Sequence, residues 1–259
     1  MKKKLFYLIG IVVFFVIFLN YNIIDNSLEK FFDIKEYVYV ERIIDGDTIE
    51  TKNKTIRLLG INTPERGEKY YEEAKEFLEQ KILEKTIKLE YGNEKTDRYG
   101  RTLGYIYFNG TNINKEIIEK GLGNIYFPSG KTFYYNDFRK AWDDCIKNNI
   151  NLCKKTKSIC GKCIKIENID IEKDVLELKN SCNIMCDLEN WSIKDEGRKK
   201  FVFENIILGV GESLFVITGK GNSSQNHLYW DEHDYVWTKT GDSIFLRDKE
   251  GKLVDWKNW

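Results

Sequence analysis

Four short stretches place charged and hydrogen-bonding side chains where loops are expected: Asp45-Gly46-Asp47-Thr48, Arg57, Asn62-Thr63-Pro64-Glu65 and Asp97-Arg98-Tyr99-Gly100-Arg101. Carboxylate, amide and carbonyl oxygens suit a hard cation that tolerates loose geometry, and Ca²⁺ is the best match. Arginine carries a planar fork that can hold two oxygens of one anion, which lysine lacks. Attack on a phosphodiester builds negative charge on the phosphoryl oxygens, so a divalent cation and two guanidiniums are suitable partners for it. Glu65 follows a proline and could take a proton from a water within hydrogen-bond reach. Singly, each group has a plainer reading. Asp45-Gly46-Asp47 reads as a hairpin turn, Arg57 as an exposed ion-pair partner, Glu65 as a charge at a helix approach and Arg101 as a turn residue. Together they bring oxygen donors and two guanidiniums onto loops of one region. The two histidines, His227 and His233, lie outside this region, which argues against histidine acid–base chemistry and a histidine-ligated zinc.

The elements that must position these loops follow from the hydrophobic pattern. Tyr37–Ile44 and Thr48–Thr51 flank Asp45-Gly46 as a hairpin, and Thr55–Leu59 follows the turn Lys52-Asn53-Lys54. Tyr70–Leu83 switches to helical period, with Tyr71, Ala74, Phe77, Leu78 and Ile82 on one face. Ile87–Tyr91 and Leu103–Phe108 return to strand, and two helices follow over Asn114–Lys120 and about Tyr135–Ile146. Three strands, a helix, two strands and more helix is the order of a five-stranded OB-fold barrel, an α+β arrangement.

Read together, IDGDT, IRLLGINTPE and TDRYGR resemble the staphylococcal-nuclease (thermonuclease) family in order and spacing, over about Tyr37 to Phe127. The resemblance implies a calcium-dependent phosphodiesterase acting on DNA, with RNA as an open alternative. It implies that Asp47 ligates the metal, that Thr63 does so through its carbonyl, and that Asp45 sits just behind. It also implies that Arg57 and Arg101 contact the scissile phosphate and that Glu65 activates the attacking water. Arg98 and Tyr99 are assigned to the substrate, with Tyr99 on a terminal phosphate, and Tyr126 and Phe127 to base stacking. Asn62 departs from the family, which usually has a second metal-binding aspartate there. An amide oxygen can still coordinate Ca²⁺ but brings no charge, so weaker metal binding with retained catalysis is expected. The rival reading is a non-catalytic nucleic-acid-binding protein on the same barrel.

Beyond the cysteines the chain reads as short strands separated by Gly, Asn and Asp turns: Ile164–Ile169, Val175–Lys179, Trp191–Ile193, Phe201–Phe203, Ser213–Ile217, Ser243–Leu246 and Leu253–Asp255. That pattern predicts a β-sandwich. Val175–Asn180, Asp187–Asp195, Trp237, Gly241–Asp248 and Gly251–Asp255 resemble lamin-tail domains, which implies an immunoglobulin-like all-β sandwich. Its expected role is to bind polymer or cell surface. Trp191 and Trp237 read as core, and Tyr229-Trp230 beside His227 and His233 reads as a solvated loop rather than a binding cluster. The expected organisation is a membrane or signal segment (1–24), a spacer (25–35), the barrel domain (36–147), a cysteine-containing linker (148–162) and the sandwich (163–259).

Lys2, Lys3 and Lys4 precede Leu5–Leu19, which has no charged or amide side chain, and the uncharged stretch continues to Ile24. Leu5–Ile24 is just long enough to span a bilayer, with the lysines inside and the rest of the chain outside. An uncleaved anchor is favoured over a cleaved signal peptide, because no small residue precedes a cut site until Ser27. All six cysteines lie between Cys145 and Cys186. In an oxidising compartment they suit disulfides stapling the domain junction, whereas Cys160-Gly-Lys-Cys163 with Cys182 and Cys186 also approaches zinc-ribbon spacing. Pairing is open at this level.

The 41 Lys+Arg balance 41 Asp+Glu, and residues 33–144 alone hold 19 against 21. That neutrality excludes a protein that coats nucleic acid by bulk electrostatics, but not one that turns it over at a few local cations. An aromatic fraction of 14% excludes a disordered chain.

Overall fold

In the computed structural model, β1 (Lys35–Asp45) pairs antiparallel with β2 (Thr48–Thr51) on one side and β5 (Thr86–Thr96) on the other. The structure describes residues 35–259 apart from Glu232; the expected membrane segment Leu5–Ile24 lies outside the described residues. Among the described residues no helix is long and apolar enough to cross a membrane. Register shifts between Val40 and Arg42 and between Ile43 and Asp45 bend β1 around the core, as bulges do at barrel corners. β3 (Thr55–Leu58) pairs antiparallel with β2 and parallel with β6 (Thr102–Phe108), and β6 pairs with β5. The ring β3-β2-β1-β5-β6 is therefore a closed five-stranded barrel.

Helix α1 (Tyr71–Ile82) buries Tyr71, Ala74, Leu78 and Ile82, the stripe expected from a 3.6-residue period. Strand β7 (Thr111–Asn112) leads into α2 (Ile113–Glu119), whose N-terminus is capped by the Asn112 side chain accepting from the Lys115 N–H at 3.0 Å. The turn before it, Asn109-Gly110, has positive φ at both residues, as a tight hairpin turn needs. Helix α3 (Tyr135–Asn148) ends on Asn149 in the left-handed region. One pairing has no counterpart in the hydrophobic pattern: β4 (Gly60–Asn62) against β8 (Asn124–Tyr126), which sets Asn62 opposite Asn124. Three residues are too few to carry a period.

After α4 (Ile159–Cys163), the second half is all strand. β9 (Ile164–Asp170), β10 (Val175–Asn180), β15 (Ser213–Thr218) and β16 (His227–Trp230) form one sheet. β12 (Ser192–Asp195), β13 (Lys200–Val202), β17 (Ser243–Arg247) and β18 (Leu253–Asn258) form the other, and β11 (Cys186–Asp187) pairs with β14 (Ile207–Leu208) at the side. Trp191, Phe203, Trp230 and Trp237 are among the buried side chains between the sheets. The loop expected at Tyr229-Trp230 is instead strand β16, paired parallel with β15, and Trp230 is core. Its alternation is only four residues long and follows a polar run, which hides it.

All six cysteines are in disulfides: Cys145–Cys153, Cys160–Cys186 and Cys163–Cys182. The zinc alternative is thereby set aside, since these sulfurs bond one another. No bridge joins the barrel to the sandwich directly; two of them anchor the linker, one to each domain. Cys145–Cys153 ties α3 to the turn after it, and the other two tie α4 to the segment around β11. Aromatic packing holds the junction instead. Trp142 on α3 meets Phe245 and Trp256 edge-on, with ring centroids 5.3 and 5.9 Å apart, and the Arg139 guanidinium lies 4.3 Å from the Trp256 centroid. Phe245 and Leu253 are buried in the barrel's own core cluster. Leu253 also exchanges backbone hydrogen bonds with Lys154 and Thr156 at 2.8 and 2.9 Å. The second domain is thus fixed against the first.

Candidate active site

Asp45, Gly46 and Asp47 form the β1–β2 turn, with the Asp47 N–H donating to Asp45 Oδ1 at 3.1 Å. Gly46 is obligatory here: a Cβ would lie 2.6 Å from Ala74 Cβ on α1 and 2.8 Å from Thr63 Oγ1. That close approach presses the turn onto the Asn62–Glu65 loop. Asp47 Oδ2 accepts from the Thr63 N–H at 2.9 Å and the Thr63 hydroxyl at 3.1 Å, while Oδ1 accepts from the Thr48 hydroxyl at 3.1 Å.

Arg57 stands on β3 opposite Thr48, so its guanidinium reaches the same turn. Its Nη2 pairs with Asp47 Oδ2 at 3.1 Å and donates to Asn62 Oδ1 at 3.2 Å; its Nη1 donates to the carbonyls of Leu58 and Ile61 at 2.5 and 2.9 Å. Asp47, Arg57, Asn62 and Thr63 are all buried. A buried ion pair is retained only where further hydrogen bonds satisfy it, and here they do. The Asn62 Nδ2 group donates to the Gly197 carbonyl at 2.8 Å, which turns its oxygen toward Arg57 and Asp47.

Burial, then the nearby Asp47 charge, raises the Asp45 carboxyl above its usual value. The oxygens of Asp45, Asp47 and Asn62 are the donor type that a hard cation takes, and nothing in the set suits a soft one; Asp47 Oδ2 and Asn62 Oδ1 here accept from Arg57.

Glu65 stands apart from this cluster. Its carboxylate pairs with Arg198 Nε of the second domain at 2.7 Å, and its N–H donates to Glu68 Oε2 at 2.9 Å. Glu68 in turn pairs with Lys194, also of the second domain, at 2.9 Å. The loop carrying Glu65 is therefore held by two cations from β12 and the β12–β13 turn.

On the third loop, Arg101 Nε and Nη2 both bond Asp97 Oδ2 at 2.7 Å, which fixes the plane of the guanidinium. Burial pushes Asp97 up, but the bonds from Arg101 and Tyr99 outweigh it and hold the carboxyl below its usual value. Gly100 makes the turn with φ +78°. Arg98 Nη2 meets the exposed Tyr99 hydroxyl at 2.7 Å.

A groove of about 1000 Å³ runs from Arg57 to the third loop: Arg57, Arg98, Tyr99, Arg101, Tyr126 and Phe127 all line it. The Arg57 guanidinium lies 5.8 Å from the Tyr126 ring centroid. Phe127 is buried, edge-on to Tyr135 and Phe138, and its N–H donates to Glu196 Oε1 at 3.0 Å. The far wall includes Tyr105 and Tyr134, whose hydroxyl donates to Glu90.

Arg198, Gly197 and Lys194 were not marked by sequence reasoning. Their run, Lys194-Asp195-Glu196-Gly197-Arg198-Lys199, reads as a charged hairpin turn, and no local signal brings it across the domain boundary.

Residues 55–155 match the family model for staphylococcal nuclease homologues, and residues 161–259 match that for the lamin tail domain. The chain is similar to the thermonuclease of Staphylococcus hyicus, at 32% identity over 123 residues, covering 44% of this chain and 73% of that protein. It is similar to the thermonuclease of Staphylococcus intermedius, at 28% identity, covering 46% of this chain and 77% of that protein. Endonuclease YncB of Bacillus subtilis (strain 168) is 26% identical, over 49% of this chain and 68% of its own length. With the closed barrel, the three loops and these matches in agreement, the chain belongs to the staphylococcal nuclease family and carries a lamin tail domain behind its nuclease domain.

Proposed function

We propose that this nuclease is a Ca²⁺-dependent phosphodiesterase that cleaves DNA, and RNA where it can enter, outside the cell while tethered to the membrane. The observation that carries the reading is the buried convergence of Asp47, Arg57 and Asn62 at the edge of a groove that also holds Arg101. Asp47, Asn62 and the Thr63 carbonyl would hold the ion. When bound, it supplies charge that offsets the negative charge developing on phosphoryl oxygens.

The chain's own residues supply the remaining parts. Arg57 and Arg101, both held in plane by their partners, bind the phosphate oxygens and favour the more highly charged transition state. Glu65 takes the proton of the attacking water, for which it must leave Arg198. Arg98 and Tyr99 receive a neighbouring phosphate at the groove mouth, and Tyr126 offers a face to a base. The export side of the proposal is supported by Lys2–Lys4 followed by Leu5–Ile24, and by three disulfides, which persist in oxidising compartments.

Plasmid degradation by the purified chain, titrated with Ca²⁺ and then with EDTA, tests the reading. Degradation that rises with Ca²⁺ and stops with chelator is expected. Plasmid left intact at saturating Ca²⁺, or degraded equally in EDTA, overturns it.

A further inference from the structure

We propose that Arg198 of the lamin tail domain is a substrate-binding residue of the nuclease site, exchanging the Glu65 carboxylate for a phosphate of the nucleic acid when substrate enters. The inference rests on the nuclease reading above and adds a residue from outside the nuclease domain.

The turn between β12 and β13 is built against the site rather than merely near it. Asn62 donates to the Gly197 carbonyl at 2.8 Å, Asn124 to the Glu196 carbonyl at 3.0 Å, and the Phe127 N–H to the Glu196 carboxyl at 3.0 Å. Within the turn, Asp195 and Lys199 exchange two bonds, Lys199 N–H to Asp195 Oδ1 at 2.9 Å and Asp195 N–H to the Lys199 carbonyl at 3.0 Å. The backbone that presents Arg198 is thus fixed from both sides.

The side chain it presents is not. Arg198 is 67% exposed and Glu65 44%, so their 2.7 Å ion pair adds little to stability and is easily given up. Guanidinium binds carboxylate and phosphate oxygens by the same charge-assisted geometry, so Glu65 occupies the place a phosphate would take. Arg57 and Arg101 are oriented for the scissile phosphate by partners within the nuclease domain, Arg57 by Asp47, Asn62 and two carbonyls and Arg101 by Asp97. Arg198, by contrast, pairs with a half-exposed carboxylate. Its release by phosphate also frees Glu65, so substrate entry and exposure of the base are one event. Because the nuclease half is close to neutral, a cation lent by the second domain matters to a polyanion.

The test uses the full-length chain with a labelled single-stranded DNA oligonucleotide. In Ca²⁺ it reads kcat and KM; in EDTA it reads the salt dependence of binding. Arg198→Ala should raise KM about tenfold with kcat within about threefold, the scale of one charge-assisted contact. The slope of log affinity against log salt should shrink by about 0.7, one single-strand phosphate contact. Arg198→Lys should restore the slope, since that term needs only a charge. A KM and slope unchanged in Arg198→Ala make the residue a bystander and overturn the proposal. A rise in kcat/KM makes it a brake on Glu65 and overturns it equally. Should Arg198→Ala lower the melting temperature, Arg198→Gln is read on the same two axes. A wild type that binds the oligonucleotide without cutting it refutes the nuclease reading, while the EDTA slope still decides the role of Arg198.

Discussion

Asn62 donates its side-chain N–H to the Gly197 carbonyl at 2.8 Å and accepts from Arg57 at 3.2 Å. The position at which the family usually carries an aspartate is therefore a bridge between the two domains. An amide can donate to a carbonyl on one side and accept from a guanidinium on the other, whereas an ionised carboxylate can only accept. The uncharged side chain at this position of the candidate site and the second domain meet in one contact.

The first prediction concerns that bridge. Asn62→Asp should lower the half-saturating Ca²⁺ concentration, because a carboxylate adds charge to the ligand set. It should also destabilise the folded chain by about 1–3 kcal/mol, since the Gly197 carbonyl loses its donor and faces an anion. An unchanged calcium titration would contradict the metal reading of Asn62, and an unchanged melting temperature would contradict the bridge.

The second prediction follows from three buried acids behind the same turn. Burial, and after it the charge of Asp242, pushes Asp195 up to about 7 and Glu196 up to about 8; burial pushes Asp242 up to about 6. Between their unfolded values and these folded ones, the native state holds more protons than the unfolded chain. Stability is then fullest in acid and falls as pH rises through the folded values, from about 4 to about 8. The Phe127 N–H, which donates to Glu196, favours the charged carboxyl and offsets part of this loss. Melting temperature measured across this range should decline, and Glu196→Gln should flatten the decline. A melting temperature that climbs toward pH 8 would contradict the assignment.

The third concerns the guanidinium held by Asp97. Arg101→Lys keeps the charge but loses the fork that bonds Asp97 through Nε and Nη2. A fall in kcat/KM of about 10²-fold is expected, the usual size of one transition-state donor. Initial rates on an oligonucleotide check it, and a lysine enzyme within a few fold of wild type would remove Arg101 from the proposed role.

Much of the barrel was legible because its site-bearing residues are close in sequence. Asp45, Asp47, Arg57, Asn62 and Thr63 sit on consecutive strands and turns of one meander, so order along the chain is nearly order in space. Helices α1 and α3 were legible from the spacing of Ala74, Leu78 and Ile82 and of Phe138 and Trp142. What stayed hidden depends on distant pairing. Gly197 reaches Asn62 across 135 residues, and β4 and β8 are too short to show a period. The junction was expected to rest on cysteines, whereas Trp142, Phe245 and Trp256 carry it, since aromatic spacing says nothing about which domain a ring will meet.

In the proposed reaction Glu65 is the group that takes the proton of the attacking water, while Arg57 and Arg101 stabilise the charge that develops. The most direct measurement is cleavage and binding of one single-stranded DNA oligonucleotide by wild type and Glu65→Ser in parallel, at saturating Ca²⁺. The account predicts that Glu65→Ser binds with near wild-type affinity while its cleavage rate falls by about 10²–10⁴-fold. Cleavage by Glu65→Ser at the wild-type rate would contradict it.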